Sequence, residues 1–417
     1  MRRNTTYSTL NAAWQQSCRL CRVMYIGFLA LLLTLTTSCE REPELHLFDV
    51  EDVEVDLPLL ELELETLWEV YGEYDWRNEW YYGWYDDGQT NWGYTEPTLF
   101  DLLRYYTGNQ ENGPYTTVKH HYGEPKVKEY KWTIGYWDIL AWNHIMADPQ
   151  SLIIDDITNP SEVTATTNMS MNPARYNAPR FTRAFNEPEE LFTAYQTGIL
   201  IDRNHEGPDW KWDEERNRWV KRLKINLRPV TYIYLIQVIL HNNGEGDDKK
   251  IKKVAEDTGI LSGMANSTVL NTTTAGPDAA CVYYDLAMKK DCRIPKMDEN
   301  GNIIEGEYEN VDIVGGRLLT FGICNLNAHQ EGLNFEYVKE FDKANEHKLE
   351  VKLMFKNDTE DAFTFDVSDQ VRNHWLGGVI TVHLYMDKIP IPQRSGGSAF
   401  DAVVKDFEEV EIPVIEM

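Results

Sequence analysis

The chain has 417 residues, of which 42% are hydrophobic, and it carries a formal net charge of −28. So acidic a protein repels the phosphates of nucleic acids and of anionic lipid heads, which argues against both as binding partners. The length favours two domains, since one domain usually takes about 100–200 residues.

An apolar run at residues 24–35 follows two arginines and ends in the small residues 36–38, just before Cys39. The run is too short to span a bilayer as a mature helix, which needs about 20 apolar residues. It matches the hydrophobic part of a secretion signal instead. We therefore expect residues 1–38 to be a bacterial lipoprotein signal peptide and Cys39 to become the acylated first residue. An ordinary cleaved signal peptide is the alternative.

Residues 39–58 are acidic and carry little secondary-structure signal, which predicts a tether between the lipid and the folded part. Two or more acyl chains make a firm anchor, whereas one chain is marginal. From Leu59, the sequence LLELELETLWEVY alternates apolar and acidic residues, which predicts a half-buried strand. This strand begins a predicted N-terminal β-sandwich domain, residues 59–222.

Aromatic residues crowd the segment 68–94, and glycines within it mark turns. The aromatic members are Trp68, Tyr71, Tyr74, Trp76, Trp80, Tyr81, Tyr82, Trp84, Tyr85, Trp92 and Tyr94. Such rings fill a core, contact another protein or stack on sugars. In the structural interpretation, alternate members fill the first sandwich. In the functional one, a partner or glycan contacts Trp76, Trp80, Tyr82, Trp84 and Trp92.

The rest of the first half mixes strand and loop signals. Residues 98–106 are ambiguous between helix and strand. Residues 130–143 predict two short strands with Gly135 in a turn or bulge between them. Residues 158–190 are rich in Asn, Thr, Pro and Arg, which predicts a long loop.

A domain boundary is expected near residue 222, where a strongly charged segment gives way to LKINLRPVTYIYLIQVIL, a long strand-like run. The run stops at a His-Asn-Asn-Gly turn signal. The C-terminal domain, residues 223–417, continues as short predicted strands. They are residues 311–323, 348–356, 361–367 and 378–387, of which the second and third read as a hairpin. The tail FEEVEIPVIEM alternates as well.

Many short strands and few helices predict an all-β protein with two β-sandwich domains in tandem. Cys281, Cys292 and Cys324 are an odd number of cysteines, which is no disulfide framework. They predict either one bridge with one thiol left over or three buried thiols.

Four segments carry a family resemblance. They are CEREPELH with the acidic strand and TLWEVYGEYDW behind it, GYWDILAWN at residues 135–143, GILSGMA at 259–265 and FDVSDQV at 365–371. Together they cover both predicted domains. Their order is similar to that in the fimbrillin superfamily of Bacteroidales-type lipoproteins, in particular a family related to fimbrial anchor and accessory subunits.

The resemblance implies two transthyretin-like (Greek-key) β-sandwiches and a role in surface attachment or pilus assembly, with fimbrial subunits as partners by strand addition. Polymerising fimbrillins are matured by cleavage after an arginine near the end of the first strand. Arg77 is the nearest candidate, but it lies in an aromatic and acidic run. This departure favours an anchor-like or accessory protein that keeps its lipid. The tail, with Val410, Ile412 and Val414, closes its own domain or fills a neighbour's groove.

Motifs for metal binding or catalysis are weak. Residues 298–302, with Glu307 behind them, have some features of a calcium loop, but the ligand spacing is broken and a hairpin turn is simpler. His120 and His121 are neighbours, and neighbouring strand residues point to opposite faces, so they are not expected to share a metal. We expect both to be histidines of a surface loop. The sequence holds no esterase elbow, zincin helix, phosphate loop or dinucleotide fingerprint. We expect no enzyme activity, no cofactor and no metal.

The expected protein is therefore a lipid-anchored component of the cell outer membrane, exposed at the surface. It serves as an anchor, accessory or adhesion component of a fimbria-like assembly. The alternative is a glycan-binding lipoprotein of a polysaccharide-uptake system that uses the aromatic residues of segment 68–94.

Overall fold

Strands make up most of the fold. The structure is a computed structural model that describes residues 59–60, 76–86, 92–123, 128–129, 132–147, 150–168, 184–298, 302–331 and 336–393, apart from positions 203, 206, 216, 222, 224 and 226. Cys39, the signal peptide, the tether and the C-terminal tail therefore lie outside the described residues. The all-β prediction is confirmed.

The strands of the described residues are short in the first half and longer in the second. They are β1 (Leu59–Leu60), β2 (Phe100–Gly108), β3 (Thr117–Gly123), β4 (Lys128–Glu129), β5 (Gly135–Asn143), β6 (Leu152–Asp155), β7 (Thr164–Thr167), β8 (Ala184–Asn186), β9 (Phe192–Ile201), β10 (Trp210–Asp213), β11 (Arg218–Lys221), β12 (Arg228–Pro229), β13 (Tyr232–His241), β14 (Ile251–Ala265), β15 (Ser267–Val269), β16 (Thr274–Ala275), β17 (Ala279–Asp285), β18 (Ala287–Met297), β19 (Ile303–Thr320), β20 (Asn327–Glu331), β21 (Glu336–Glu340), β22 (Lys348–Phe355), β23 (Glu360–Asp366) and β24 (Gly378–Tyr385).

Helical elements of the described residues are brief. They are α1 (Trp76–Glu79), α2 (Tyr81–Trp84), α3 (Ser368–Asn373) and two 3-10 turns, Gly246–Asp248 and Met386–Lys388. In the part of the chain that the structure describes, no helix is both long and apolar enough to cross a membrane.

Two sheets enclose the main core of the C-terminal half. One has the strand order β18-β19-β13-β24 and the other β23-β22-β14-β17-β8. The predicted run at 223–240 is not one strand: it contains β12 and, from Tyr232, β13, whose ten residues are all buried. A strand buried on both faces reads as a continuous apolar run, which is how this one reads. β13 pairs antiparallel with β19 and parallel with β24.

The N-terminal half is built on a sheet with the strand order β12-β9-β5-β2-β3. Leu103 and Leu140 on one face join the main core, while Leu102 and Ile139 on the other face join a second cluster with Leu223. A four-stranded sheet, β16-β15-β7-β6, contributes Ala165 and Leu152 to the main core.

Three sheets combine strands from before and after residue 222. The short strand β8 pairs with β17, β7 pairs with β15, and β12 pairs with β9. All described residues fall within one compact unit, Leu57–Met417. The boundary at residue 222 and the tandem transthyretin-like arrangement stay predictions.

Several local predictions need correction. Residues 130–143 do not form two strands around Gly135, because β5 is one strand that begins at this glycine. A side chain there would lie 2.4 Å from the Gly108 carbonyl oxygen, so the glycine permits a close approach between β5 and β2. The ambiguous segment 98–106 becomes β2. The predicted loop 158–190 contains β7 and β8, because each finds a pairing partner distant in sequence.

The hairpin predictions are confirmed. β22 and β23 pair along their length, from Lys348 with Asp366 to Met354 with Glu360. At the β18–β19 connection, the Asp298 N–H donates to the Asn302 carbonyl at 2.8 Å and the Asn302 N–H donates to the Asp298 carboxylate at 2.8 Å. These bonds agree with the hairpin interpretation of the calcium-like motif. Glu307, the candidate calcium ligand, forms an ion pair with Lys296 at 3.0 Å instead.

The three cysteines of the body, Cys281, Cys292 and Cys324, are free and buried. Of the two alternatives, three buried thiols is therefore confirmed and a bridge is wrong. Burial raises the pKa of the Cys281 thiol to about 12 and that of the Cys324 thiol to about 11, which keeps both protonated and unreactive.

Gly263 provides a sharp test of the β14 geometry. The pairing of β14 with β17 shifts register between Ser262 and Met264, and Gly263 has φ of +80°. A Cβ atom there would lie 2.4 Å from the Glu346 carbonyl oxygen. We expect Gly263→Ala to lower the free energy of unfolding by more than about 2 kcal/mol, measured by urea denaturation.

Gly306→Ala is the matched control. Gly306 has φ of +78°, but no atom lies within 4 Å of its built Cβ. It should cost only the conformational penalty, about 1 kcal/mol. Equal losses in the two variants would contradict the close approach at Gly263.

Candidate partner-binding face

The outer face of the sheet β18-β19-β13-β24 is the candidate site. On β13, Ile233, Leu235 and Ile239 point away from the main core, yet each is at most 2% exposed. Residues 76–86 and 92–94, here called the strap, lie across this face and share its apolar cluster. The strap therefore covers a face that would otherwise meet water.

Aromatic rings anchor the strap to the sheet. Trp80 is fully buried, and its ring lies 4.8 Å from that of Trp92 in an edge-to-face contact at 84°. The Tyr82 ring lies against Gly315 of β19, where a Cβ atom would be 2.5 Å from the ring. Glycine at this position lets the phenol approach the sheet backbone.

Gln237 of β13 fixes the position of the strap. Its side-chain oxygen accepts from the Tyr82 N–H at 3.1 Å, and its amide nitrogen donates to the Glu79 carbonyl at 2.8 Å. The same nitrogen lies 2.9 Å from the Thr381 hydroxyl of β24. One buried amide thus joins the strap to two strands of the sheet.

Two cations add to these contacts. Lys289 donates to the Tyr82 carbonyl at 2.9 Å, and its ammonium lies 4.0 Å above the Tyr82 ring. Arg317 donates to the Trp92 carbonyl at 3.1 Å and to the Glu190 carboxylate at 2.6 Å. Burial, with a smaller effect of the Asp86 charge and of Cys292, raises the pKa of the Tyr82 phenol to about 12. This phenol stays neutral at physiological pH.

The predicted contact residues occupy different environments. Trp80 and Tyr82 are core residues, 0% and 5% exposed, so the expectation that they offer a contact surface is wrong for these two. They are buried because the sheet face beneath them is apolar. Trp92 is half-buried, and Trp84 is 45% exposed. Trp76 lies in α1, and its side chain is outside the described part.

A cleft of about 1210 Å³ lies beside the strap, between α3, the length of β24 and the ends of β13 and β18. At its lining, His241 Nε2 is 2.8 Å from His383 Nδ1, and His241 Nδ1 is 3.2 Å from the Glu309 carboxylate. Tyr385 stacks on His241 with 4.6 Å between ring centroids. Burial, aided by His241, lowers the pKa of His383 to about 4. His383 is therefore neutral near pH 7, and this cluster holds β13 and β24 together.

β24 is the edge strand of its sheet, and Gln370 of α3 reaches this edge. The Thr381 N–H donates to the Gln370 side-chain oxygen at 2.8 Å, and the Gln370 amide donates to the Thr381 carbonyl at 2.9 Å. The Gln370 side chain thus makes the two hydrogen bonds that the backbone of one residue in a neighbouring strand would make. Among the strands that the structure describes, none pairs with this edge.

The two neighbouring histidines lie on β3, so the expected loop location is wrong, but they point to opposite faces as predicted. His120 bonds to Asp101 at 2.7 Å, whereas His121 contacts Arg104 on the opposite face. Asp101 also bonds to His144 at 2.7 Å. Within the described ranges, no group of three or more His, Cys, Asp or Glu side chains is placed to hold a metal ion.

Sequence reasoning missed Gln237, Gln370 and the His241–His383 pair. Gln237 had a signal, because it is the one amide in the apolar run YIYLIQVIL. A lone polar residue in such a run needs a buried hydrogen-bond partner. Gln370 lies in the segment FDVSDQV that carries the resemblance, but nothing in that motif points to Thr381 of β24. The role of His383 depends on β13, which is distant in sequence.

Two tryptophans four positions apart test the burial of the strap. Trp80→Ala removes a fully buried indole and should cost about 3–5 kcal/mol of unfolding free energy. Trp84→Ala removes a ring that is 45% exposed, and it should cost much less, about 1 kcal/mol, from the edge contact with Tyr81 and the bond to the Arg77 carbonyl. Chemical denaturation measures both. A larger loss for Trp84→Ala than for Trp80→Ala would contradict the placement of the strap.

No protein-family model matches this chain, and none of the curated proteins does. Several solved structures are similar. A candidate adhesin from Bacteroides ovatus has a TM-score of 0.48 and 13% identity, over 82% of this chain and 96% of that one. A candidate adhesin from Bacteroides thetaiotaomicron has a TM-score of 0.41 and 10% identity, over 80% and 94%.

The fimbrial anchor protein Mfa2 from Porphyromonas gingivalis has a TM-score of 0.35 and 11% identity, over 79% of this chain and 90% of that one. These three similar structures are thus two candidate adhesins and one fimbrial anchor protein.

Proposed function

We propose that this protein acts by binding, as an anchor, accessory or adhesion component of a fimbria-like assembly at the cell surface, and that it is not an enzyme. The observation that carries the proposal is the edge of β24, which no described strand covers and which borders a cleft. A sheet edge of this kind accepts an extended segment from a partner.

The backbone direction of β24 supports strand addition. Both polar groups of the Thr381 backbone face Gln370, away from β13. Because the pattern repeats every second residue, Val379 and His383 direct their backbone groups the same way. A partner strand would hydrogen-bond to these residues and displace the Gln370 amide.

Gln370 also explains how the edge stays soluble without a partner. Exposed edges pair with other chains unless they are short, charged or covered. The Gln370 amide satisfies one N–H and one C=O in the middle of β24. A partner that offers a whole strand replaces this single-residue contact with a longer ladder.

The membrane attachment is proposed to be Cys39 with its acyl chains, in the outer membrane. Because the net charge is −28, we propose that the lipid holds the protein at the membrane and that a basic patch does not. The burial of Trp80 and Tyr82 argues against glycan binding through these two residues of segment 68–94. Among the strap indoles whose side chains the structure describes, Trp84 is the most exposed.

A proline substitution tests strand addition at the edge of β24. Thr381→Pro removes the N–H that points away from β13, and the proline ring obstructs an incoming strand. The hydrogen bonds between β13 and β24 do not use this N–H and are kept. We expect the subunits that co-purify with the full-length protein from its own cells to fall about tenfold. Thr381→Ala keeps the N–H and should retain them. Unchanged co-purification with Thr381→Pro, in a variant that melts normally, would refute strand addition at this edge.

Lipid attachment is tested separately. Cys39→Ala removes the acylated thiol, so we expect the protein to leave the membrane fraction on cell fractionation. Mass spectrometry of the parent protein should show a lipid-modified Cys39 as its first residue. An unchanged distribution between fractions, or residues 1–38 found intact, would contradict the anchor.

A further inference from the structure

A buried polar cluster lies where β13 leads into β14. Asn243, Lys249 and Asp312 are 4%, 8% and 2% exposed. Asn243 and Lys249 flank the loop 244–248, all of whose residues are exposed. The loop connects the two sheets of the main core, because β13 belongs to one sheet and β14 to the other. An exposed connection between the sheets is thus bounded by two buried polar side chains.

One carboxylate joins these two side chains. The Lys249 ammonium donates to Asp312 Oδ1 at 2.7 Å, and the Asn243 amide nitrogen donates to Asp312 Oδ2 at 2.6 Å. An amine and a carboxamide can condense to a secondary amide, with ammonia as the leaving group. Asp312 is placed to accept a proton from the amine and to donate one to the departing nitrogen.

The Asn243 carbonyl oxygen is held by a backbone donor. The Ile251 N–H donates to Asn243 Oδ1 at 2.8 Å, and the Asn243 amide nitrogen also donates to the Ile251 carbonyl at 3.1 Å. Negative charge develops on Oδ1 when a nucleophile adds to Cγ, and a fixed N–H donor stabilises that charge. The cluster therefore contains a nucleophile, a proton carrier and a donor for the developing oxyanion.

We propose that Lys249 and Asn243 form an intramolecular isopeptide bond. Lys249 Nζ adds to Asn243 Cγ, the bond between Cγ and Nδ2 breaks, and this nitrogen leaves as ammonia. A protonated amine and a carboxamide thus become a secondary amide and one ammonium ion. Atoms and charge balance, and no oxidant, reductant or cofactor is required. Asp312 carries the proton and is regenerated.

Lys249 has to lose a proton before it attacks. Burial lowers the pKa of this amine, but hydrogen bonds to Asp291 and Asp312 outweigh burial and raise the pKa above its usual value. The amine is therefore mostly an ammonium ion, and attack follows the transfer of one proton to Asp312. The reaction occurs once in each chain and ammonia escapes to solvent, so a small neutral fraction is sufficient.

The bond has a consequence for the loop that it closes. A cut of the backbone within 244–248 would leave the two parts of the chain joined through the amide between Lys249 and Asn243. β13 and β14 would then stay covalently connected although their loop is broken. This modification does not depend on the proposed strand addition at β24.

A purely structural role of the cluster makes a different prediction. A buried lysine–carboxylate pair, together with an amide that holds a turn, can exist without any reaction. In that case the chain keeps its full mass and trypsin cleaves after Lys249. Condensation of Lys249 with Asp312, the other candidate reaction, releases water and not ammonia.

Peptide mass spectrometry of the full-length protein tests the bond. Trypsin does not cleave after an acylated lysine, so we expect a peptide 225–250 that is lighter than its sequence by about 17 Da, the mass of ammonia. Lys249→Arg and Asp312→Asn should each restore the full mass of this segment. Lys250→Arg is the matched control and should keep the loss, because Lys250 donates to the Met386 carbonyl at 2.6 Å.

Three results would overturn the proposal. One is an unmodified peptide that ends at Lys249. Another is a loss of about 18 Da, the mass of water, which assigns the bond to Asp312. The third is a loss of ammonia that persists in Lys249→Arg, because the Asn243-Gly244 dipeptide can lose ammonia by forming a succinimide. Co-purification of fimbrial subunits is a separate measurement, so failure here is distinguishable from failure of the β24 edge.

Discussion

The absence of a polar face on β13 is the constraint on which the structure depends. All ten residues of this strand are buried, so both of its faces have to be covered. The opposing sheet β23-β22-β14-β17-β8 covers one face, and the strap covers the other. Because hydrophobic burial scales with the apolar area removed from water, the aromatic strap and the central strand stabilise each other.

Apolar contact alone does not fix where the strap lies, since it has no direction. Gln237 supplies the direction: its amide bonds to backbone groups on both sides of Trp80 and to the Thr381 hydroxyl of β24. A buried amide that lost these partners would carry a desolvation cost of about 1–3 kcal/mol. The strap, β13 and β24 are thereby held in one register. The candidate partner edge is therefore positioned by the same residue that positions the strap.

The amino-acid sequence predicted the structural features that depend on a local pattern of residues. The apolar run of β13, the alternation of β22 and β23 and the turn at residues 298–302 follow from period and turn chemistry. Features that depend on a distant partner were not predictable. Trp80 and Trp84 are the same residue type four positions apart, and only the position of the sheet buries one and exposes the other. The start of β5 at Gly135 likewise depends on the Gly108 carbonyl of β2.

The parallel pairing of β13 with β24 has a consequence for the order of folding. Tyr234 pairs with Gly378, so the last strand of this sheet joins a strand that was made long before it. Contacts between residues so far apart carry a large loop-closure cost and form slowly. Until that partner docks, the backbone groups of β13 on the β24 side are unpaired, and the folding chain is vulnerable to aggregation. Protection of this one central strand would therefore matter most in the interval before residues 378–385 join the sheet.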